Sequence, residues 1–524
     1  MKIKYVPGIL NDVIGPIMRG PSSSHTAAAH RIGRIIRQAG EKGIKKVLVK
    51  FDRTSSLATT YLGQGSAMGL AGGLLGLELT DNEIINYKEL LAKSRLTIEY
   101  IITDIENKHP NAYQINVQYS DGDKSDILAI STGGGSFEII KWNAFSVSIK
   151  GDFYETLLLL KNADKEDADK IENYLKKNLL ELKVDKSGDS DGNILINCKS
   201  EYSIGKHANH ILSEGGKNIS ITELFPVMPA TSSMKLELPF NTADEMLKLA
   251  KKEKLSLSSL ALLYESARTG LDSNSITRKM EEIVFLVKNS IDEGLKGTSY
   301  GDRILQTQSN LIEAAEKKGL IEKSINSSII SCTSAIMEVK SSMGIIVAIP
   351  TAGSCGVLGG ALFGSLPDKR FDLKKMTNAF LAAGIAGVFI ASRYTFSAEE
   401  GGCQVETGSA AAMAAAGLVE LNGADARQAI NAASMALQNQ LGLICDPVAV
   451  RVEVPCLGKN IMAASNAYNS YIMAVAGYDP VIPYDEVIDA MKAVGETLPS
   501  SLCCTGLGGL AQTPTAKCLN INTR

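Results

Sequence analysis

Nine cysteines are spread through the 524 residues. Three of them, Cys403, Cys445 and Cys456, stand beside turn-forming or charged residues rather than inside an apolar helix face. The local strings are E-E-G-G-C-Q-V-E (Glu399 to Glu406) and C-D-P-V-A-V-R-V-E-V-P-C (Cys445 to Cys456). Thiolate is the donor an iron–sulfur cluster needs, and a cubane cluster has four corners to hold. Three protein thiolates leave one iron open, and an open metal is a Lewis acid able to take a substrate oxygen. Free cysteine is also among the most buried residue types, so three packing thiols fit the same spacing. The gaps are much wider than the C-x-x-C of ferredoxins, and on spacing alone both readings stand.

The histidines narrow the geometry. All five (His25, His30, His109, His207 and His210) lie in the first 210 residues. An imidazole acting at the cysteines must therefore come from the N-terminal region, which places a shared site between domains, a common location for ligand pockets. His25 follows Pro21 and three serines (Ser22, Ser23, Ser24). After Thr26 the chain reads A-A-A-H-R-I-G-R-I-I-R-Q-A to Ala39, a helix pattern. A helix N-terminus offers unpaired N–H groups and partial positive charge, so serines there cap it and can bind an anion such as an amino-acid carboxylate. Plain capping needs one such residue, not three in a row. His207 and His210, in K-H-A-N-H, share a helix face but lack a nearby carboxylate or cysteine pair, so a solvated helix is expected there.

Longer words then speak together. G-P-S-S-S-H-T (Gly20 to Thr26), P-T-A-G-S-C-G (Pro350 to Gly356), E-G-G-C-Q-V-E-T-G-S-A-A-A-M, C-D-P-V-A and V-E-V-P-C resemble the iron–sulfur L-serine dehydratases over nearly the whole chain. The resemblance implies a β-type region followed by an α-type region from about Asn241. It also implies a [4Fe-4S] cluster held by Cys403, Cys445 and Cys456. His25 becomes the candidate base or substrate contact. Ser22, Ser23, Ser24, Thr26, Gln64, Thr351, Gly353 and Ser354 become the candidate substrate-binding residues. One stretch departs from the pattern. Where the family usually has G-H-G-T-D, this chain has G-Q-G-S-A (Gly63 to Ala67), so Gln64 replaces a histidine and Ala67 an aspartate. Glutamine hydrogen-bonds but cannot act as a base.

Composition sets the frame for these residues. A chain of this length makes two or three domains with their own cores. Net charge is −3 with no long charged run, which points away from nucleic acid and anionic membranes. The start has no apolar h-region, and the longest apolar run, Ala379 to Ala391, is too short to span a bilayer and reads as a buried helix. An odd cysteine count without a secretory start favours a reducing compartment, so the expected location is cytoplasmic.

The expected fold is α+β and multidomain: an N-terminal α/β domain (1–143), a small ACT-like α+β domain (144–240) and a large all-α C-terminal catalytic domain (241–524). Strands are expected at Lys46–Phe51, Ala112–Val117, Ile127–Ile130, Val147–Ile149, Thr156–Leu160 and Ile194–Cys198. The triple glycine in S-T-G-G-G-S (Ser131 to Ser136) reads as a hairpin turn rather than a phosphate cradle for pyridoxal phosphate. Helices are expected at Glu166–Lys177, from the capping box T-A-D-E (Thr242 to Glu245) to about Lys252, and at Ile276–Glu293, Asp302–Lys318, Ser327–Met343, Lys374–Ala391, Ser409–Leu421, Ala424–Leu441, Asn460–Ala476 and Asp485–Val494. Alternating valines between Cys445 and Cys456 suggest an extended loop carrying both thiolates. Cys355 reads as a packing thiol and Cys503–Cys504 as loop thiols.

Together these point to a homo-oligomer (a dimer) that converts L-serine to pyruvate and ammonia, with no nucleic-acid or membrane partner. L-cysteine desulfidation at the same cluster is one alternative. A non-catalytic sensor, with Cys518 as a fourth ligand, is another, and a pyridoxal-phosphate dehydratase a third.

Overall fold

The computed structural model describes residues 6–40, 43–179, 181–215, 218–366 and 370–522. The chain first makes a short strand β1 (Ile17–Met18) and then β2 (Ile44–Asp52), β3 (Thr97–Thr103), β4 (Ala112–Tyr119), β5 (Lys124–Gly133), β6 (Ser136–Trp142) and β7 (Phe145–Ile149). Strands β2 to β7 form one sheet in the order β3-β2-β4-β5-β6-β7, antiparallel except for the β2–β3 pair. Alternation explains it: Val47, Val49 and Phe51 point to one buried face, while the residues between them are more exposed. Gly134 and Gly135 turn the β5–β6 hairpin with positive φ, as expected for the triple glycine.

Helix Ala28–Ala39 covers that face, and helix Ser66–Leu75 lies against it. The two approach so closely that a Cβ on Gly69 would sit 2.0 Å from the carbonyl oxygen of Thr26. No other residue fits there, and this locks the 63–69 segment onto the His25 turn.

Next come β8 (Tyr154–Leu160), helix Lys165–Asn178, β9 (Lys183–Gly188), β10 (Ile194–Ser200), helix Gly205–Gly215 and β11 (Ile219–Leu224). Their antiparallel sheet has the order β11-β8-β10-β9, a βαββαβ plait with its own small core of Leu158, Leu160, Leu175, Ile196 and Ile211.

The remainder is helical: Ala243–Glu253, Leu257–Thr269, Ser273–Lys296, Leu311–Lys317, Ile325–Ser341, Cys355–Gly364, Leu373–Arg393, Thr407–Leu421, Ala426–Gln438, Cys456–Val475 and Tyr484–Thr497 are the main helices. Thr242 caps the first of them by accepting from Glu245 N–H at 3.1 Å. Helices Leu373–Arg393 and Thr407–Leu421 are central, with small residues on every side and almost no exposure. Leu373–Arg393 has the length and apolarity of a membrane span, yet most of it is enclosed by the other helices. This half is not purely helical, because a strand β12 (Ile346–Val347) pairs antiparallel with β1.

That pairing matters for function. The N-terminal segment does not stay with its own sheet. Ile9, Leu10, Val13 and Ile14 belong to the helical core, Ile9 N–H donates to Glu265 Oε2 at 2.8 Å, and Tyr264 donates to Pro7 O at 2.8 Å. The β1–β12 bridge then carries Ser22–Thr26 up to the 350–356 loop.

One expected helix is much shorter than its pattern. Only Leu311–Lys317 is α-helical within 302–318. Glu453 Oε2 accepts from Ile304 and Leu305 N–H, and Glu338 Oε1 from Gln308 and Ser309 N–H, at 2.6–2.9 Å. Two buried carboxylates have taken the donors a helix would use.

Candidate active site and metal centre

Cys403 opens a short 3₁₀ turn (Cys403–Val405) that leads into helix Thr407–Leu421. Cys445 sits in extended chain beside Cys503. Cys456 is the first residue of helix Cys456–Val475, which corrects the expectation that the whole 445–456 stretch is an extended loop. The loop between them holds Ala449 and Val450 at φ +52°, a left-handed conformation unusual for alanine and more so for a β-branched valine.

Donor atoms of Cys403, Cys445 and Glu406 lie within 4.8 Å of one another. Cys456 lies outside that 4.8 Å donor group, and its thiol is raised mainly by burial, with the Cys403 and Glu406 charges adding to it. The Cys445 thiol is pushed far up, first by hydrogen bonds with Cys403 and Cys504 and then by burial. Glu406 is raised to about 7 by burial and by the nearby Glu399. Burial and neighbouring charge push the Cys445 and Cys456 thiols and the Glu406 carboxyl up, and a bound cation would supply the missing positive charge by displacing their protons. Two lysines offer part of it. Lys459 Nζ is 3.7 Å from Cys403 Sγ and 2.8 Å from Asp446 Oδ1, and it donates to Ile444 O at 2.7 Å. Burial opposes its charge, but Cys403 and Asp446 outweigh burial and hold it up. Lys340, fully enclosed, donates to Val452 O. Clustered buried thiols, a carboxylate and flanking lysines fit an anionic metal–sulfur group.

His25, fully buried in the turn Ser23–Ala27, faces this centre from the N-terminal side. Its Nε2 is 2.8 Å from Thr60 Oγ1, and the Thr60 hydroxyl donates its one proton to Ser56 O at 2.7 Å. Thr60 must then accept, so Nε2 carries the hydrogen and Nδ1 keeps the lone pair. Nδ1 lies 3.1 Å from Ser22 Oγ and 3.4 Å from Glu399 Oε1. Burial lowers the imidazole pKa, with Glu399 opposing. Glu399 is itself held by the Ser397 hydroxyl at 2.7 Å, and Ser397 by Asn111 at 3.3 Å. The result is a neutral base whose lone-pair nitrogen has a carboxylate beside it.

The serine run does not serve as a helix cap. None of the three hydroxyls caps the turn or the helix after it. Ser22 holds His25, Ser23 Oγ accepts from Ala352 N–H at 3.1 Å, and Ser24 is buried. Thr26 donates to Gln64 O at 3.0 Å, a structural tie. Gln64 reaches the centre directly, its amide donating to Cys504 Sγ at 3.3 Å.

Across the site, Thr351 and Ser354 cap one another, and Ser354 Oγ donates to Ile349 O at 2.9 Å. That hydroxyl is engaged within the loop. Thr351 Oγ1 donates to Glu406 Oε1 at 2.7 Å, and a Cβ on Gly353 would come within 2.9 Å of the same oxygen. Gly353 is what lets Glu406 approach. Cys355 packs on Met337, as a core thiol.

Glu399, Glu406, Lys459 and Lys340 went unassigned in the sequence, where Cys504 reads only as a loop thiol. The repeated glutamates around Cys403 were a usable signal, whereas the lysines lie in ordinary helix context. Cys518 is exposed on a further helix, Pro514–Asn522, while Cys504 is the thiol at the centre.

The helical half matches the family model for the serine dehydratase alpha chain over residues 250–511, and the chain belongs to that family. It is 37% identical over 282 residues to a probable L-serine dehydratase alpha chain of Bacillus subtilis, covering 93% of that protein and 53% of this chain. Identity is 34% over 285 residues with the L-serine dehydratase alpha chain of Peptoniphilus asaccharolyticus, covering 96% of it and 53% of this chain. The L-serine dehydratase of Helicobacter pylori strain J99 is 28% identical over 324 residues, 71% of its length and 61% of this chain.

Proposed function

We propose that this protein is an L-serine ammonia-lyase forming pyruvate and ammonia, with Cys403, Cys445 and Cys456 holding a [4Fe-4S] cluster. The observation that carries the reading is the meeting of His25 and Glu399 with the thiol group, across 374 positions of sequence, in a chain of this family. When bound, the cluster supplies a Lewis-acidic iron that eases loss of the serine hydroxyl.

The chain's residues do the rest. His25 takes the Cα proton on Nδ1, the nitrogen its Thr60 contact leaves unprotonated. Glu399 steadies the imidazolium that results, and Ser22 Oγ, 3.1 Å from Nδ1, helps fix the ring's orientation. Ser23, Ser24, Thr351 and the backbone around Gly353 line the side where the carboxylate and amino groups are held. Burial of His25 and Glu399 keeps water from competing for the proton. The aminoacrylate released then tautomerises and hydrolyses in water.

The chain is read as three units, 1–143, 144–240 and 241–524. The βαββαβ order of the middle one favours an ACT-like regulatory role. A cytoplasmic homodimer is the working assembly. A second reading, L-cysteine desulfidation, is favoured by Gln64, whose amide already solvates a sulfur where the family carries histidine.

Anaerobic reconstitution with iron and sulfide, followed by assays on L-serine, L-threonine and L-cysteine, tests both. Turnover of serine by protein that retains no iron overturns the cluster assignment. Preference for cysteine selects the second reading.

A further inference from the structure

We propose that a cleft where the βαββαβ unit meets the helical half binds a small organic carboxylate with an apolar body, and that its occupancy acts on the segment that carries His25. Binding there is independent of the reaction proposed above, whereas the effect on turnover rests on it.

The cleft has a volume of about 450 Å³, within the range of ligand pockets, and shares no residue with the thiol centre. Lys183 of β9, Lys199 of β10, Arg268 of helix Leu257–Thr269, and Lys150 and Asp152 between β7 and β8 give it four cations against one carboxylate. The acids nearest those cations, Glu155, Asp185, Glu138 and Glu265, do not line it. Lys199 and Arg268 are enclosed, with 9% and 1% of the side chain exposed. Burial opposes the Lys199 charge, but Glu155 and Asp152 outweigh it and hold it up. An ammonium has three hydrogens, and Lys199 gives one to Ser148 O and one to Glu155 Oε1, which leaves a third for a guest. Phe153, Met234, Leu236 and Leu238 form an apolar wall beside these cations. A void of this size is costly in a close-packed interior unless something fills it, and these walls fit an anion on a hydrocarbon body.

Arg268 links the cleft to the catalytic segment. Its Nε donates to Val6 O at 3.2 Å and its Nη2 to Ser232 Oγ at 3.1 Å. The guanidinium lies so close to the chain that a Cβ on Gly8 would come within 2.6 Å of Cζ. Gly8 N–H donates to Asp12 Oδ2 at 2.8 Å, and β1 and the Ser22–Thr26 turn follow. A carboxylate that draws on Arg268 therefore pulls on the segment that sets His25.

The test is calorimetric titration of the full chain with hexanoate. Wild type should bind it at one saturable site, should bind acetate about 10-fold more weakly or worse, and should not bind hexylamine. Lys183→Ala and the charge-balanced double variant Lys199→Met with Glu155→Gln should each weaken hexanoate by about 10-fold, with matching thermal transitions as the check on folding. No saturable binding in wild type, or equal affinity in both variants, overturns the site. Inorganic phosphate binding as tightly as hexanoate overturns the apolar-body requirement. Saturating hexanoate should also shift KM or kcat for L-serine by about fivefold in reconstituted wild type, and by much less in Lys183→Ala at the same concentration. Hexanoate that binds and moves neither constant overturns the coupling. A chain that binds hexanoate yet does not turn over L-serine keeps the site and overturns the coupling together with the proposed function.

Discussion

Around the thiols, Lys459, Asp446, Glu399 and His25 are held with 13% side-chain exposure or less, and each has a named partner. On the βαββαβ unit, Lys186 pairs with Asp169 and Glu172 at the surface, and Lys176 with Glu172 along one helix. Both regions are rich in ion pairs, yet they use them for different ends. Surface pairs are screened by water and contribute little. Enclosed groups are desolvated, so their protonation states answer strongly to each other, which is what a site handling protons and a metal requires.

The largest effects should come from the sulfurs. Replacing Cys403, Cys445 or Cys456 singly by Ser should abolish both bound iron and turnover, whereas Cys198→Ser, Cys332→Ser and Cys355→Ser should leave the iron content intact. Full iron in any of the first three variants breaks the ligand assignment. Activity of the wild type should also fall in air and return with ferrous iron and a reductant. Indifference to air and to chelators counts against the cluster.

Next in size, His25→Ala should cut turnover by roughly 10²-fold or more, the usual scale for a general base. The cluster spectrum should be unchanged. Glu399→Gln should give a smaller loss in turnover, with the pH profile displaced because the partner charge is gone. Near-normal turnover in His25→Ala would move the base elsewhere.

A third effect concerns stability alone. His30 is lowered to about 4, first by burial, against which its bond to Leu77 O acts, and then by Arg34 and Arg31. Between about 6.5 and 4 the unfolded chain binds a proton there that the folded chain does not. Stability from this residue is thus present above pH 6.5 and lost as pH falls toward 4. That lowering corresponds to about 3 kcal/mol. Denaturant titrations of His30→Gln should show a flatter acid limb than wild type, and equal slopes dispose of the assignment.

The smallest effect sharpens the contrast. Lys186→Ala, which removes a surface double pair, should cost less than about 1 kcal/mol and leave turnover untouched. A loss comparable with that from the buried groups would show that the two regions are not so different.

Much of this was legible in the chain itself. Hydrophobic periodicity located most helices and the β2, β4, β5 and β10 strands, because burial of one face is a local demand that alternation or a 3.6-residue period records. Residue chemistry singled out three cysteines and His25, because few side chains bind metal or move protons near neutral pH. What the tertiary structure decided is who stands next to whom. Glu399 met His25 only when the β1–β12 pairing carried the Ser22–Thr26 turn to the 350–356 loop, and Glu406 joined the thiols through folding of the helical half itself. The 302–309 segment lost its helix to carboxylates some 30 and 149 positions away, Glu338 and Glu453. Cys504, an unremarkable half of a vicinal pair on paper, joined the thiols because the 502–504 backbone is bonded to Cys445. Periodicity is a property of neighbours along the chain, whereas hydrogen bonds and electrostatics depend on distance in space, and only folding sets that distance.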